Sequence, residues 1–194
     1  MKKIILASGS PRRHQLMQLV NIPFEVIVSG ADETVTGIPE EQVKELALRK
    51  AKAVQASEFA ERICETAIII AADTLVYIDG KILEKPDDEK EAFEMLKTLS
   101  GRKHAVYTGV AILNGNFERV FADVAYVQFH SLTDSEINAY IATSEPFDKA
   151  GAYGVQERGA VLVEKIEGDF YTVVGLPISK VCRALSEIGY NIWQ

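Results

Sequence analysis

Apolar and polar positions divide the chain into short continuous runs and longer amphipathic segments. The runs predict strands at residues 3–7, 24–28, 67–72, 75–78, 81–83, 104–113, 117–129, 160–166 and 170–174. The amphipathic segments predict helices that begin at Ser10-Pro11, Pro39 (to about Arg62), Pro86 (to Gly101), Thr133 (to about Ala142) and Pro177. Because helical crossovers alternate with hairpins, this order predicts an α/β protein with a mixed, twisted β-sheet, flanking helices and a cleft between two unequal lobes.

Turn and cap residues support several of these elements. Asp79-Gly80 and Asn114-Gly115-Asn116 each predict a hairpin between two strands. Thr133 and Glu136 have the spacing of a capping box, in which each residue satisfies a backbone N–H of the other at a helix start. These local signals fix where the chain turns, but they do not order the strands in the sheet.

Length and composition fit a single domain. With 194 residues, 47% hydrophobic and 25% charged, the chain is predicted to form one domain over residues 1–194, with room for two lobes. Its formal net charge of −7 disfavours nucleic acid and anionic membranes as partners but leaves room for a small phosphorylated ligand. No apolar run approaches the roughly 20 residues of a membrane span. Cys64 and Cys182 lie far apart, which predicts reduced packing residues in a cytoplasmic protein.

The junction after the first strand has the chemistry of a phosphate site. Residues 8–13, Ser-Gly-Ser-Pro-Arg-Arg, combine two hydroxyls, the N–H groups of a helix N-terminus and two guanidinium groups. Each of these favours a bound anion, and the planar fork of arginine suits phosphate oxygens. The candidate ligands here are Ser8, Ser10, Arg12 and Arg13. The alternative is an ordinary strand–turn–helix with two solvated arginines.

Two carboxylates are candidates for metal binding or proton transfer. Asp73 follows the continuously apolar run 67–72, which is typical of a central strand covered on both faces. In open α/β sheets ligands gather beyond the carboxyl ends of strands, where a carboxylate can hold a divalent cation or take a proton from water. Glu33, beside Asp32 in a polar loop, has the oxygen chemistry that magnesium prefers. The alternatives are a strand-end aspartate and a solvated loop pair.

Further polar residues can complete a nucleotide site if the fold brings them together. Lys50, Lys85 and Lys149 can neutralise phosphate charge, although single lysines are usually surface charges. Gln156 and Thr74 can contact a nucleobase edge, although an exposed amide and a strand hydroxyl explain them equally well. The sequence contains no phosphate-binding P-loop, dinucleotide fingerprint, zinc-protease motif or nucleophile elbow.

The opening run Leu6-Ala7-Ser8-Gly9-Ser10-Pro11-Arg12-Arg13 resembles the signature of the Maf family of nucleoside triphosphate pyrophosphatases. The resemblance extends over nearly the whole chain in ordered motifs: Asp32-Glu33, Lys50-Ala51, Ala72-Asp73-Thr74, Glu84-Lys85-Pro86, Leu99-Ser100-Gly101, the run 148–156 and Val174-Gly175-Leu176-Pro177. It implies a fold similar to inosine triphosphate pyrophosphatases, with a deep cleft, and hydrolysis of a nucleoside triphosphate between its α- and β-phosphates.

The resemblance also implies a role for each matching residue. Asp73 matches the proton acceptor and Lys85 a second catalytic position; Glu33 and Asp73 match positions that hold a divalent metal, Mg²⁺ or Mn²⁺. The positions that match substrate ligands are Ser8, Ser10, Arg12, Arg13, Lys50, Thr74, Lys149 and Gln156.

Three of these ligand positions suggest the substrate. Arg12, Thr74 and Gln156 match the specificity residues of the branch that acts on dTTP and UTP. The family further implies a homodimer. A different hypothesis is a nucleotide-sensing regulator of cell division without essential catalysis.

Overall fold

Seven strands form one mixed β-sheet in the computed structural model, which describes residues 2–57 and 67–193. The strands are β1 (Ile4–Leu6), β2 (Glu25–Val26), β3 (Ile68–Ile78), β4 (Lys81–Leu83), β5 (Lys103–Asn114), β6 (Phe117–Phe129) and β7 (Val163–Glu167). Their order is β2-β1-β3-β5-β6-β7, with β4 paired to β3. β1 runs parallel to β2 and β3, whereas β3–β4 and β6–β7 are antiparallel. The predicted mixed sheet is confirmed.

Six α-helices lie within the described residues. They are α1 (Pro11–Leu19), α2 (Pro39–Gln55), α3 (Glu89–Leu99), α4 (Asp134–Ile141), α5 (Phe170–Val174) and α6 (Ile178–Glu187). Short 3₁₀ helices cover Glu145–Asp148, Ala150–Ala152 and Arg158–Leu162. Within the described ranges no helix has both the length and the apolar character that crossing a membrane requires.

Local chemistry explains why several elements begin or turn where the sequence predicts. At the start of α4, Thr133 and Glu136 form the complete capping box. The Asp88 side chain accepts a hydrogen bond from the Glu91 N–H at 2.7 Å and so caps α3. Positive φ angles at Asp79 (50°) and Gly80 (80°) close the β3–β4 hairpin in the turn type whose twist matches antiparallel strands.

Three predictions about local structure were wrong. The two strands predicted at 67–72 and 75–78 form one strand, β3, which runs through Asp73 to Ile78, and its second half pairs with β4 in a hairpin. Residues 170–174 form helix α5 instead of a strand, since the Asp169 carboxylate accepts a hydrogen bond from the Tyr171 N–H at 2.9 Å and starts a helical turn. In the predicted strand 160–166, a 3₁₀ helix extends to Leu162 and only the remainder is extended.

The long helix α2 ends at Gln55, before the predicted limit near Arg62. The last residues of that predicted helix, and Cys64, lie outside the described residues. Cys182 is buried with a free thiol, as the sequence predicts.

The described residues fall into two compact units. The first unit takes the described residues within the ranges 1–73, 108–123 and 175–194. Its apolar core joins β1, α2, β3 and β5 through Ile5, Ala7, Ala47, Ala51, Val54, Ala67, Ile69, Ala71, Ala111 and Leu113. At Gly109 on β5, an added Cβ would lie 2.1 Å from the Val43 carbonyl oxygen, so only glycine allows this approach of α2 to the strand. The close packing fixes the helix that carries Lys50.

The second unit takes residues 74–107 and 124–174. Its helices α3 and α4 pack against each other. Buried aromatic rings form a cluster in which Phe129 contacts Tyr153 at a centroid distance of 4.7 Å and His104 at 5.2 Å. This cluster anchors the start of the segment that carries Gln156.

Candidate active site

The predicted phosphate junction forms the N-terminal end of α1 in the first unit. Ser10 is the N-cap and Pro11 the first helical residue, as predicted, although the Ser10 side chain makes no capping hydrogen bond. The buried Ser8 hydroxyl oxygen accepts hydrogen bonds from the Ser10 N–H at 3.3 Å and from Arg13 Nη1 at 3.0 Å. Because both bonds use the oxygen as acceptor, the Ser8 O–H can still donate to an anion.

The Arg13 guanidinium links this junction to a distant part of the same unit. Its Nε donates to the Gly175 carbonyl oxygen at 2.8 Å. Burial lowers the pKa of Arg13, and the nearby charges of Asp73 and Glu33 raise it. An arginine side chain remains protonated in proteins, so a half-buried positive charge stands beside two carboxylates. Arg12, also half-buried, adds a second positive charge close to Arg13.

Lys50 lies between the two predicted carboxylates. Its Nζ is 2.6 Å from Asp73 Oδ1 and 2.9 Å from Glu33 Oε1. The side chains of Lys50 and Asp73 are 12% and 14% exposed, whereas that of Glu33 is 66% exposed. Three separate elements thus meet at one point: α2, β3 and the loop after β2. We call these three residues the Lys50 triad.

The position of Asp73 follows from the unequal lengths of two parallel strands. β1 ends at Leu6, which is paired with Ile70, while β3 continues past it. Asp73 therefore lies just beyond the carboxyl end of its parallel neighbour, although its own strand does not end there. Ligand-binding groups are expected to gather at the carboxyl ends of strands. Here Asp73 lies near the carboxyl end of β1 and not at the end of β3, its own strand.

The triad has a donor set that fits a divalent cation. Two carboxylates converge on one positive charge, the Lys50 ammonium, which shows that the pair favours a cation at this point. Mg²⁺ takes one or two protein carboxylates and fills its other positions with water and substrate phosphates. In residues 2–57 and 67–193 no group of three or more His, Cys, Asp or Glu side chains can hold a metal, so substrate oxygens would have to complete the coordination.

The remaining candidates belong to the second unit. Thr74 is half-buried, and Lys85 and Gln156 are exposed. Lys149 is buried, and its ammonium is bound to oxygens of its own segment, including the Asp148 carboxylate at 2.6 Å. Its assignment as a substrate ligand stays a prediction.

An open groove of about 720 Å³ in the first unit does not include the triad. It is lined by residues 34–36 and by the outward face of α2. Lys44 and Arg49 in its wall are paired with Glu41 at 2.6 Å and with Glu45 at 2.8 Å. Because its positive charges are already neutralised, this groove lacks the charge that a triphosphate needs.

Sequence reasoning missed two groups that organise the junction. His14 Nε2 donates to the Ser8 carbonyl oxygen at 2.8 Å and its ring packs on Phe24. The Gly175 carbonyl oxygen accepts from Arg13. His14 could have been noticed because it directly follows the two arginines. Its hydrogen bond to the Ser8 carbonyl oxygen could not be predicted from the sequence. Gly175 stands in a run already noted for its resemblance to the family.

The chain belongs to the Maf family: residues 3–188 match the family model described as Maf-like protein. Among its relatives is a protein of Bacillus cytotoxicus named dTTP/UTP pyrophosphatase, 50% identical over 189 residues that cover 96% of each chain. A Bacillus cereus protein of the same name is 47% identical over 194 residues, covering 99% of this chain and 93% of that protein. A Bacillus mycoides protein, again so named, is 45% identical over 99% of this chain and 98% of its own length.

Proposed function

We propose that this protein is a nucleoside triphosphate pyrophosphatase that hydrolyses dTTP and UTP to the monophosphate and pyrophosphate. The observation that carries the proposal is the Lys50 triad, in which Asp73 and Glu33 converge on one cation within reach of the charge of Arg13. The three relatives named above support the activity and the substrates. They also favour an enzyme over a purely regulatory protein.

In the proposed reaction, water attacks the α-phosphorus in line with the oxygen that bridges the α- and β-phosphates. Asp73 accepts a proton from this water, the bond from the α-phosphorus to the bridging oxygen breaks, and its electron pair leaves with pyrophosphate. The Lys50 ammonium binds Asp73 Oδ1 at 2.6 Å, so we assign the proton to the other carboxylate oxygen, Oδ2. The residues thus position a water and remove its proton without forming a covalent intermediate.

Charge neutralisation is the second requirement of phosphoryl transfer. Arg12, Arg13 and Lys85 are the proposed cationic ligands of the phosphates, and the hydroxyls of Ser8 and Ser10 are the proposed donors. Arginine can bind two phosphate oxygens at once through its fork of N–H groups. Lys50 adds positive charge once the carboxylates of the triad have another cation to bind.

Glu33 and Asp73 are the proposed ligands of Mg²⁺ or Mn²⁺. When bound, such an ion supplies neutralisation of the phosphate charge and polarisation of the bond that breaks. Glu33 is exposed on the loop after β2, so it can adjust to the ion at little cost, while Asp73 is fixed in β3.

The proposed base selection depends on Arg12, Thr74 and Gln156. Thr74 directly follows Asp73 in β3, so a base contact at Thr74 is tied by the backbone to the reacting phosphate. The Gln156 amide has both a donor and an acceptor, which a pyrimidine edge with a carbonyl and an N–H can match.

The test is hydrolysis of dTTP, UTP, CTP, GTP, ATP and 7-methyl-GTP with Mg²⁺, with pyrophosphate and single phosphate measured separately. We expect pyrophosphate and monophosphate in equal amounts, with dTTP and UTP preferred. Release of single phosphate would contradict the proposed reaction. No turnover by folded, metal-loaded protein would return the regulatory hypothesis to first place. The homodimer and the cytoplasmic location stay predictions.

A further inference from the structure

The geometry points to Lys149 and Glu145 as positioning residues that hold the segment carrying Gln156, and to a Lys149 ammonium that serves the protein's own oxygens instead of the substrate. This inference rests on the proposed function, because it concerns how the base is selected. It concerns only the second unit. We call residues 145–159 the Gln156 segment.

Lys149 is the centre of this segment. Its side chain is 8% exposed, and its Nζ donates to the Glu145 carbonyl oxygen at 2.8 Å and to Asp148 Oδ1 at 2.6 Å. Glu157 Oε2 lies 3.8 Å from the same nitrogen. The ammonium thus joins both ends of the segment, and its oxygen partners neutralise the charge that a phosphate would need.

The stem of Lys149 is covered by the segment as well. A Cβ added at Gly154 would lie 2.6 Å from Lys149 Cε, so the backbone at this glycine rests directly on the lysine chain. The Gly154 N–H donates to the Tyr140 hydroxyl of α4 at 3.2 Å. The next turn fits equally closely, because a Cβ at Gly159 would lie 2.3 Å from the Gly154 carbonyl oxygen. Lys149 is therefore the packing core of the segment.

Glu145, the first residue of the segment, binds the backbone at the last two residues of the segment. Its Oε1 accepts from the Arg158 N–H at 3.1 Å and its Oε2 from the Gly159 N–H at 3.2 Å. Each carboxylate oxygen therefore has its own backbone donor. A glutamine at this position has only one carbonyl oxygen, so one of the two N–H groups would face an NH₂ group.

Gln156 lies between these fixed points. On its N-terminal side, the Tyr153 hydroxyl is 2.7 Å from His104 Nε2, and the Tyr153 ring packs on Phe129. On its C-terminal side stand the residues bound by Lys149 and Glu145. The Gln156 side chain is exposed on a backbone that is held before and after it. The held backbone fixes the point and the Cα–Cβ direction from which the amide reaches the base, and misplacement by about 1 Å can cost a reaction a factor of about 100.

A phosphate ligand and a positioning residue predict different phenotypes. If Lys149 binds phosphate, its loss weakens the binding of every triphosphate alike. Loss of the nearby negative charge of Glu145 then leaves that binding unchanged or strengthens it. If Lys149 positions Gln156, loss of either residue has the same effect although their charges are opposite. That effect falls on the choice of base and leaves affinity for a base-free phosphate chain unchanged.

The experiment compares Lys149→Met, which keeps the stem under Gly154, with Glu145→Gln. The matched controls are Lys165→Met in β7 and Glu94→Gln in α3, both exposed residues of the same unit. Three properties are measured for each folded variant. They are amide hydrogen exchange in the Gln156 segment, the ratio of kcat/KM for UTP over CTP, and inhibition by inorganic tripolyphosphate.

We expect both test variants to speed exchange in the Gln156 segment and to lower the UTP/CTP ratio about tenfold, with tripolyphosphate inhibition unchanged. The controls should match the wild type in all three measurements. If Lys149→Met instead weakens tripolyphosphate inhibition about tenfold while Glu145→Gln resembles the wild type, Lys149 is a phosphate ligand and the inference is overturned. If the wild type hydrolyses no nucleotide, the proposed function fails, and hydrogen exchange alone still decides whether the two residues hold the segment.

Discussion

Two lysines, one in each unit, have nearly equal burial, and we propose different roles for them. Lys50 is 12% exposed and Lys149 is 8% exposed, and each ammonium is surrounded by oxygens of the protein. Lys50 is held by carboxylates from two other elements. Lys149 is held within its own segment, by a backbone carbonyl as well as by carboxylates.

The origin of the oxygens separates the two roles better than burial does. Asp73 and Glu33 are brought to Lys50 by the fold, and Glu33 is 66% exposed, so we expect that another cation can replace the ammonium without unfolding the chain. The Glu145 carbonyl that binds Lys149 belongs to the backbone of the segment, and losing that bond loosens the segment itself. A cation held by converging carboxylates is suited to chemistry, and one held by its own loop is suited to structure.

The largest effect that sharpens this comparison is expected for Asp73→Asn in the Lys50 triad. Asparagine has nearly the same shape but is a poor proton acceptor, so the fold should survive while pyrophosphate release from UTP falls by a factor of about 10²–10⁴. Steady-state kinetics measures the rate, and circular dichroism confirms the fold. Asp79→Asn in the β3–β4 turn is the control and should retain full activity. Turnover near the wild-type rate in Asp73→Asn would remove this residue from the mechanism.

The elements that the sequence predicted well are those decided by local chemistry. The capping box at Thr133 and the turn at Asp79-Gly80 specify their own geometry, and the structure has both. Residues 170–174 were mispredicted because their aromatic and β-branched side chains favour a strand, whereas the preceding Asp169 starts a helix. The strand propensity of residues 170–174 was outweighed by the side chain of Asp169, which lies just before them.

The candidate site shows the same limit at longer range. Ser8 and Arg13 could be proposed as ligands because they lie in one short run with the right chemistry. The partner of Arg13 at Gly175 is 162 residues away, and no local pattern indicates such a contact. The convergence of Glu33 and Asp73 on Lys50 likewise depends on strand order, which hydrophobic periodicity does not determine.

Acid should destabilise the second unit more than the first, because the second unit contains a buried neutral histidine. Burial lowers the pKa of His104 from 6.5 to about 4, against a smaller opposite effect of the Arg102 backbone. Between these values the unfolded chain binds a proton that the folded chain does not, so stability is lost as pH falls from 6.5 towards 4. The loss reaches about 3 kcal/mol at pH 4.

This prediction is measured by urea unfolding of the wild type and His104→Gln from pH 7 to pH 4. Glutamine can still bond to the Tyr153 hydroxyl but does not titrate in this range. The wild type should lose more free energy of unfolding than the variant, and hydrogen exchange should place the loosening near Tyr153 and not at the Lys50 triad. Parallel pH profiles for the two proteins would show that His104 is not the group responsible.

The smallest effect is expected for Lys50→Met, which tests whether the triad exchanges its cation. The variant leaves the Asp73 and Glu33 carboxylates without their ammonium, so the metal-free protein should melt at a lower temperature and kcat/KM should fall about tenfold. Mg²⁺ or Mn²⁺ should raise the melting temperature of the variant more than that of the wild type, since the ion no longer competes with Lys50. Lys52→Met, on the exposed side of the same helix, is the control and should respond to the metal as the wild type does. Equal metal-induced shifts of the melting temperature in Lys50→Met and Lys52→Met would mean that Lys50 and the ion do not compete for the same carboxylates. Lys50 would then not be exchangeable for a metal ion, and in this respect it would not differ from Lys149.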